Sequence, residues 1–100
     1  MKKRFVVLLD SSTAEQGKSF QKFIEEKGLG WWHWLGSSWL LVDARGSLTA
    51  EKLRDQLKKD FQGVYSLVLE LPGDSSNDTW SGYGPKNDNK NMFDWIHKNW

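Results

Sequence analysis

Three places in this 100-residue sequence hold side chains whose types could do chemistry. The first is Asp10, which closes an apolar run and is followed by Ser11 and Ser12. A carboxylate at a strand end can hold Mg²⁺ or Mn²⁺, with water and a substrate phosphate completing the shell. One carboxylate per chain cannot activate water without such a metal, so catalysis here would be metal-dependent cleavage of RNA or DNA. The competing role is structural: Asp10 ends the strand and helps to cap the helix that follows. The second place is His33, a residue type that serves as general base or metal ligand. It has no partner at metal-binding spacing: His97 lies far along the chain, and no H-x-H or H-E-x-x-H pattern occurs. Packing among tryptophans accounts for it more simply. The third place is aromatic. Trp31, Trp32, His33, Trp34 and Trp39, with Trp80 and Tyr83, read as an interface or ligand face. Aromatics on a sheet can stack single-stranded bases. Such surfaces are also basic, and the residues around these tryptophans are not, so core and interface packing has the larger weight.

The elements that position these residues follow from the pattern. The stretch 31–43 reads as a β-hairpin, with aromatic and β-branched runs flanking Gly36-Ser37. A glycine first in a two-residue loop predicts a type II′ turn. That register sets Trp34 opposite Trp39, Trp32 opposite Leu41 and Trp31 opposite Val42. Trp32, Trp34, Trp39 and Leu41 then share one face; Trp31, His33, Leu40 and Val42 share the other. Both faces are apolar, so something must cover each.

Before the hairpin, the run 5–9 predicts a central strand buried on both sides. Ser12-Thr13-Ala14-Glu15 predicts a capping box with serine as the cap, then a helix to about Lys27 with Gly28 past its end. After the hairpin, Thr49 predicts an N-cap for a helix over 50–60, with Leu48 and Leu53 as a hydrophobic staple. Leu53, Leu57 and Phe61 form its buried stripe; Arg54, Lys58 and Lys59 read as its solvated side. A strand follows over 64–71, with Tyr65, Leu67, Leu69 and Leu71 on one face and Val64 and Val68 on the other. Residues 74–79 read as a polar loop, and Asn77-Asp78-Thr79 within it matches a glycosylation acceptor. Trp80-Ser81-Gly82-Tyr83-Gly84-Pro85 reads as a fifth edge strand or an irregular cover. Residues 86–90 are polar, and Asn91 predicts the cap of a last helix over 92–99.

The order strand, helix, strand, strand, helix, strand predicts an α+β, ferredoxin-like split β-α-β fold with an aromatic C-terminal extension. Residues 1–72 form the expected core. Residues 73–100 are the extension, packing on the sheet or on a partner chain.

Composition narrows the classes of function. A formal charge of +1 argues against a strong nucleic-acid or membrane-surface binder. The sequence has no cysteine, which excludes disulfides and thiolate metal sites and fits a cytoplasmic protein. The apolar run after Lys2-Lys3-Arg4 is shorter than the ~7–15 residues of a signal peptide. No stretch approaches the ~20 apolar residues of a membrane span.

The hairpin, Trp31-Trp32-His33-Trp34-Leu35 followed by Ser38-Trp39-Leu40-Leu41-Val42, resembles that of small bacterial SinR-like ferredoxin-like proteins. The later Trp80-Ser81-Gly82-Tyr83-Gly84-Pro85 and Trp95 are similar to the ending of that group. A looser resemblance is to the small CRISPR adaptation subunit and the VapD toxins. It implies a dimer built through the sheet side and a metal or nuclease role for Asp10, the one residue it carries over. The expected function is therefore a homodimeric, non-enzymatic interaction module without a cofactor. The alternatives are a Mg²⁺- or Mn²⁺-dependent nuclease using Asp10 and a single-stranded RNA binder using the aromatic sheet face.

Overall fold

The computed structural model describes residues 1–73, 80–87 and 89–100; the polar loop and acceptor pattern expected over 74–79 lie outside the described residues. Among these residues four strands and three helices follow in the order β1 (Lys3–Leu9), α1 (Ala14–Glu26), β2 (Gly30–Leu35), β3 (Ser38–Asp43), α2 (Ala50–Asp60), β4 (Ser66–Pro72) and α3 (Asp94–Asn99). The strands form one antiparallel sheet in the order β2-β3-β1-β4. The β-α-β-β-α-β order is as the sequence predicts, and the first and third strands are central.

Local signals set the helix ends. The capping box of α1 sits one residue later than expected. Thr13 Oγ1 accepts from the Gln16 backbone N–H at 3.2 Å, and Gln16 Oε1 accepts from the Thr13 N–H at 2.9 Å. Gln16 completes the box as well as a glutamate would, and the Ser12 hydroxyl instead meets that of Ser37 at 3.1 Å. At the other end Gly28 takes φ +67°. Its N–H bonds Glu25 O while the Leu29 N–H bonds Ile24 O. This Schellman arrangement satisfies carbonyls that the helix leaves open. Thr49 caps α2 by accepting from the Lys52 N–H, and Leu48 and Leu53 are both buried beside it.

α1 and α2 cover one face of the sheet. The core between the layers holds Phe5, Val7, Phe20, Ile24, Trp39, Leu41, Leu53, Leu57 and Phe61. Phe20 sets its ring edge-on to Trp39 at 5.1 Å and meets Phe61 at 5.6 Å.

The hairpin departs from its predicted register. Leu35 pairs with Ser38 as expected, but Trp32 pairs with Leu40, Trp31 with Leu41 and Gly30 with Val42. Between Trp32 and Leu35 the ladder shifts by one, so His33 and Trp34 together oppose Trp39. Gly36 is not among the positive-φ glycines, so the turn is not type II′. Turns without positive φ match strand twist poorly, and an extra residue in one strand restores the fit at the cost of register. Trp34 and Trp39 therefore do not pair, and the predicted sharing of faces is overturned. Trp31 joins Trp39 and Leu41 on the helix side, while Trp32 joins Leu40 on the other.

The opposite face is covered by the C-terminal extension. Trp32, Met92 and Ile96 form a second buried cluster with Leu40, Phe93, Trp95 and Trp100 against it. The Trp32 Nε1–H donates to the Met92 carbonyl at 2.6 Å. Trp95 lies so close over Gly30 that a Cβ there would sit 3.2 Å from its ring. Arg4 is buried, donates from Nε to Pro72 O at 2.6 Å and faces the Trp100 ring at 5.0 Å. α3 starts at Asp94 rather than at 92, and Phe93 rather than Asn91 is its cap. Asn91 Oδ1 instead accepts from the Phe93 N–H, bracing the turn before the helix. No strand forms over 80–85; the segment is an irregular cover, followed by a bridge between Lys86 and Asn91.

Candidate functional site

The non-helix face of the sheet carries the candidate site. Cross-strand pairing lays its side chains out in rows across β2, β3, β1 and β4. One row is Gly30, Val42, Arg4 and Leu71; the next is Trp32, Leu40, Val6 and Leu69; the last is Leu35, Ser38, Leu8 and Leu67. The extension lies over the first row and the β2 side of the second. The last row stays open. Leu35 is 51% exposed, Leu67 55%, and Leu69 beside them 44%. Leu8 is exposed too, so β1 is not buried on both sides as predicted. The open row crosses four strands, roughly 14 Å, and contains no charged side chain. Tyr65, two residues before Leu67, is also exposed.

The predicted aromatic residues divide between the two sides of the sheet. His33 stacks flat on Trp39, with ring centres 3.8 Å apart and planes 4° from parallel. Its Nδ1 lies 2.8 Å from the Ser38 carbonyl, which can only accept, so Nδ1 carries the hydrogen. His33 is thus oriented by the hairpin and set into the helix side with Trp31 and Trp39. The Trp39 Nε1–H is buried with no acceptor among the described residues. Trp32 is buried under the extension, and Trp34 is exposed at the irregular step of β2. Trp80 and Tyr83 lie on the extension, Trp80 against Phe93 and His97 and Tyr83 exposed. These residues do not make one continuous stacking platform. Alternation along β2, interrupted by one extra residue, sends neighbours to opposite sides.

Asp10 is exposed just past β1, and its N–H donates to Tyr65 O at 3.0 Å. It lies at the same end of the sheet as the open leucine row. Among the described residues no group of three His, Asp or Glu is placed to hold a metal ion. Asp43 lies at the far end, opposite Lys3. It is buried, and its oxygens accept from Leu48 N at 2.8 Å and Arg45 N at 3.1 Å. Burial pushes its carboxyl up, but backbone N–H groups of Leu48, Arg45, Gly46 and Ser47 outweigh that and hold it below its ordinary value. Asp43 is a loop anchor, not a second ligand for Asp10.

No family model, curated protein or solved structure matches the chain. Among the described residues no helix is long and apolar enough to cross a membrane. The leucine row was half legible in the sequence: the strand pattern placed Leu67 and Leu69 together, but not their exposure.

Proposed function

We propose that this chain is a ferredoxin-like interaction module that works as a homodimer, with the open leucine row as its self-association surface. One observation carries the reading: Leu35, Leu8, Leu67 and Leu69 form an apolar patch across the sheet that the described residues of the chain's own extension leave uncovered. Apolar surface of this kind, adjoining Tyr65, marks an association site more often than an idle face. A two-fold pairing of the patch with itself is the simplest closed assembly. The looser resemblance to the small CRISPR adaptation subunit and the VapD toxins, which implies a dimer through the sheet side, agrees with this reading. Light scattering at micromolar concentration should give twice the chain mass for the wild type. Leu67→Glu should give the single-chain mass with an unchanged circular dichroism spectrum, because its side chain leaves the helix-side core untouched. A monomeric wild type would overturn the proposal.

A nuclease reading has one observation in its favour: Asp10 lies at the same end of the sheet as the leucine row, so a dimer through that row brings two copies of Asp10 toward one another. The module reading expects no Mg²⁺- or Mn²⁺-dependent cleavage of labelled RNA or DNA. Metal-dependent cleavage that disappears in Asp10→Asn would replace it with the nuclease. The single-stranded RNA reading loses Trp31, His33 and Trp39 to the core, and little basic charge surrounds the row.

A further inference from the structure

The extension does not lie flat on the sheet. Between them is a recess of about 400 Å³. Val6 and Leu40 form its floor, Met92, Ile96 and Trp100 one wall, and the segment from Trp80 to Tyr83 the rim. Among the described residues no charged side chain lines it.

The rim is held from below by close packing. A Cβ on Gly82 would lie 2.5 Å from the Phe93 ring, and one on Gly84 would overlap the Met92 sulfur. These two glycines let the backbone rest directly on the residues leading into α3. Trp80 is clamped between Phe93, at 5.6 Å, and His97, at 5.0 Å. An aromatic ring braced on two sides stands at the mouth without folding into the space beneath it. The recess is therefore set up in the chain before anything enters.

We propose that this recess binds a small uncharged apolar molecule of one to three rings. The volume lies toward the lower end of the ~300–1,000 Å³ range of small-molecule sites, which are mostly apolar with few polar groups. A charged ligand would be desolvated there with no opposite charge among the described lining residues to meet it. Ser81 and the backbone of Gly82 supply polar groups at the rim, enough to orient one hydroxyl or carbonyl. Trp80 offers a ring face at the mouth. The site is distinct from the leucine row: of the row it shares only Leu35, at the edge.

The test uses two probes that differ mainly in charge, neutral N-phenyl-1-naphthylamine and its sulfonated relative 1-anilinonaphthalene-8-sulfonate. The neutral probe should bind saturably at one site per chain and quench tryptophan emission; the sulfonate should bind at least about tenfold more weakly. Val6→Phe, which fills the floor, should abolish binding. Leu71→Phe enters the same recess from a half-exposed strand position and should do so too, even where the first variant folds poorly. Leu67→Glu should keep binding while losing self-association, so failure of the dimer leaves this site standing. No saturable binding to the wild type would overturn the proposal. So would binding that survives both filling variants, equal binding of both probes, or binding lost in Leu67→Glu, which would put the probe on the association surface.

Discussion

At the centre of the helix-side core, Trp39 is 1% exposed and touches Phe20, Trp31 and His33. Trp34, its expected partner, is exposed. Two tryptophans five residues apart thus have opposite weight. Trp39→Ala should cost about 3–5 kcal/mol, the range for emptying a large aromatic site. Trp34→Ala should cost far less, within about 1 kcal/mol. Urea midpoints of the two variants check this, and equal losses would show that the alternation assigned here is wrong. Asp43 supports a pH prediction. Its carboxyl is depressed in the folded chain, so the unfolded chain binds the proton more readily. The stability it adds is complete above the unfolded value and lost as pH falls through the folded one. Asp43→Asn should therefore lower the midpoint by a constant amount above about pH 5. The gap to wild type should close below about pH 4.

Among the elements, the turns show what a glycine is for. Gly28 ends α1 at φ +67°, with open space where a Cβ would be, so Gly28→Ala is opposed by backbone conformation alone. It should cost about 1–2 kcal/mol. Gly36 also has open space but takes no positive φ. Gly36→Ala should be neutral or stabilise by up to about 1 kcal/mol, by reducing the freedom of the unfolded chain. Thermal melts of the pair decide between these outcomes. α3 has only six residues and no side-chain cap, so it depends on docking. Met92 and Ile96 against Trp32, and the bond from the Trp32 indole to the Met92 carbonyl, supply that. Lys2 Nζ, donating to Asn99 O at 3.0 Å, ties the end of α3 to the start of β1.

For the whole molecule the decisive fact is uneven cover. Two helices bury the centre of one side of the sheet, whereas the described part of a short extension covers only part of the other. Where the cover is present, the chain buries Trp32 and leaves an apolar recess. Where it is missing, leucines meet solvent. The self-association test belongs at this scale. If two copies share the leucine row, the melting temperature of the wild type should rise with protein concentration, and that of Leu67→Glu should not.

The sequence by itself determined the order of elements, the cap of α2, the end of α1, the place of the hairpin turn and the sides of β4. Each rests on residues within a few positions of one another: a hydroxyl reaching the N–H three residues on, a glycine freed to positive φ, or a period of two or four. What only the tertiary structure decided was which tryptophans face which side. Strand alternation carries face assignment forward one residue at a time, so a single irregular step at His33 and Trp34 inverts everything beyond it. Nothing local marks that step, because it answers to the twist of the whole sheet. The extent of cover was equally hidden. It depends on how far residues 80–100 reach across strands that lie far away in sequence, and Gly82 and Gly84 owe their role to contacts with Phe93 and Met92 that exist only once the chain has folded.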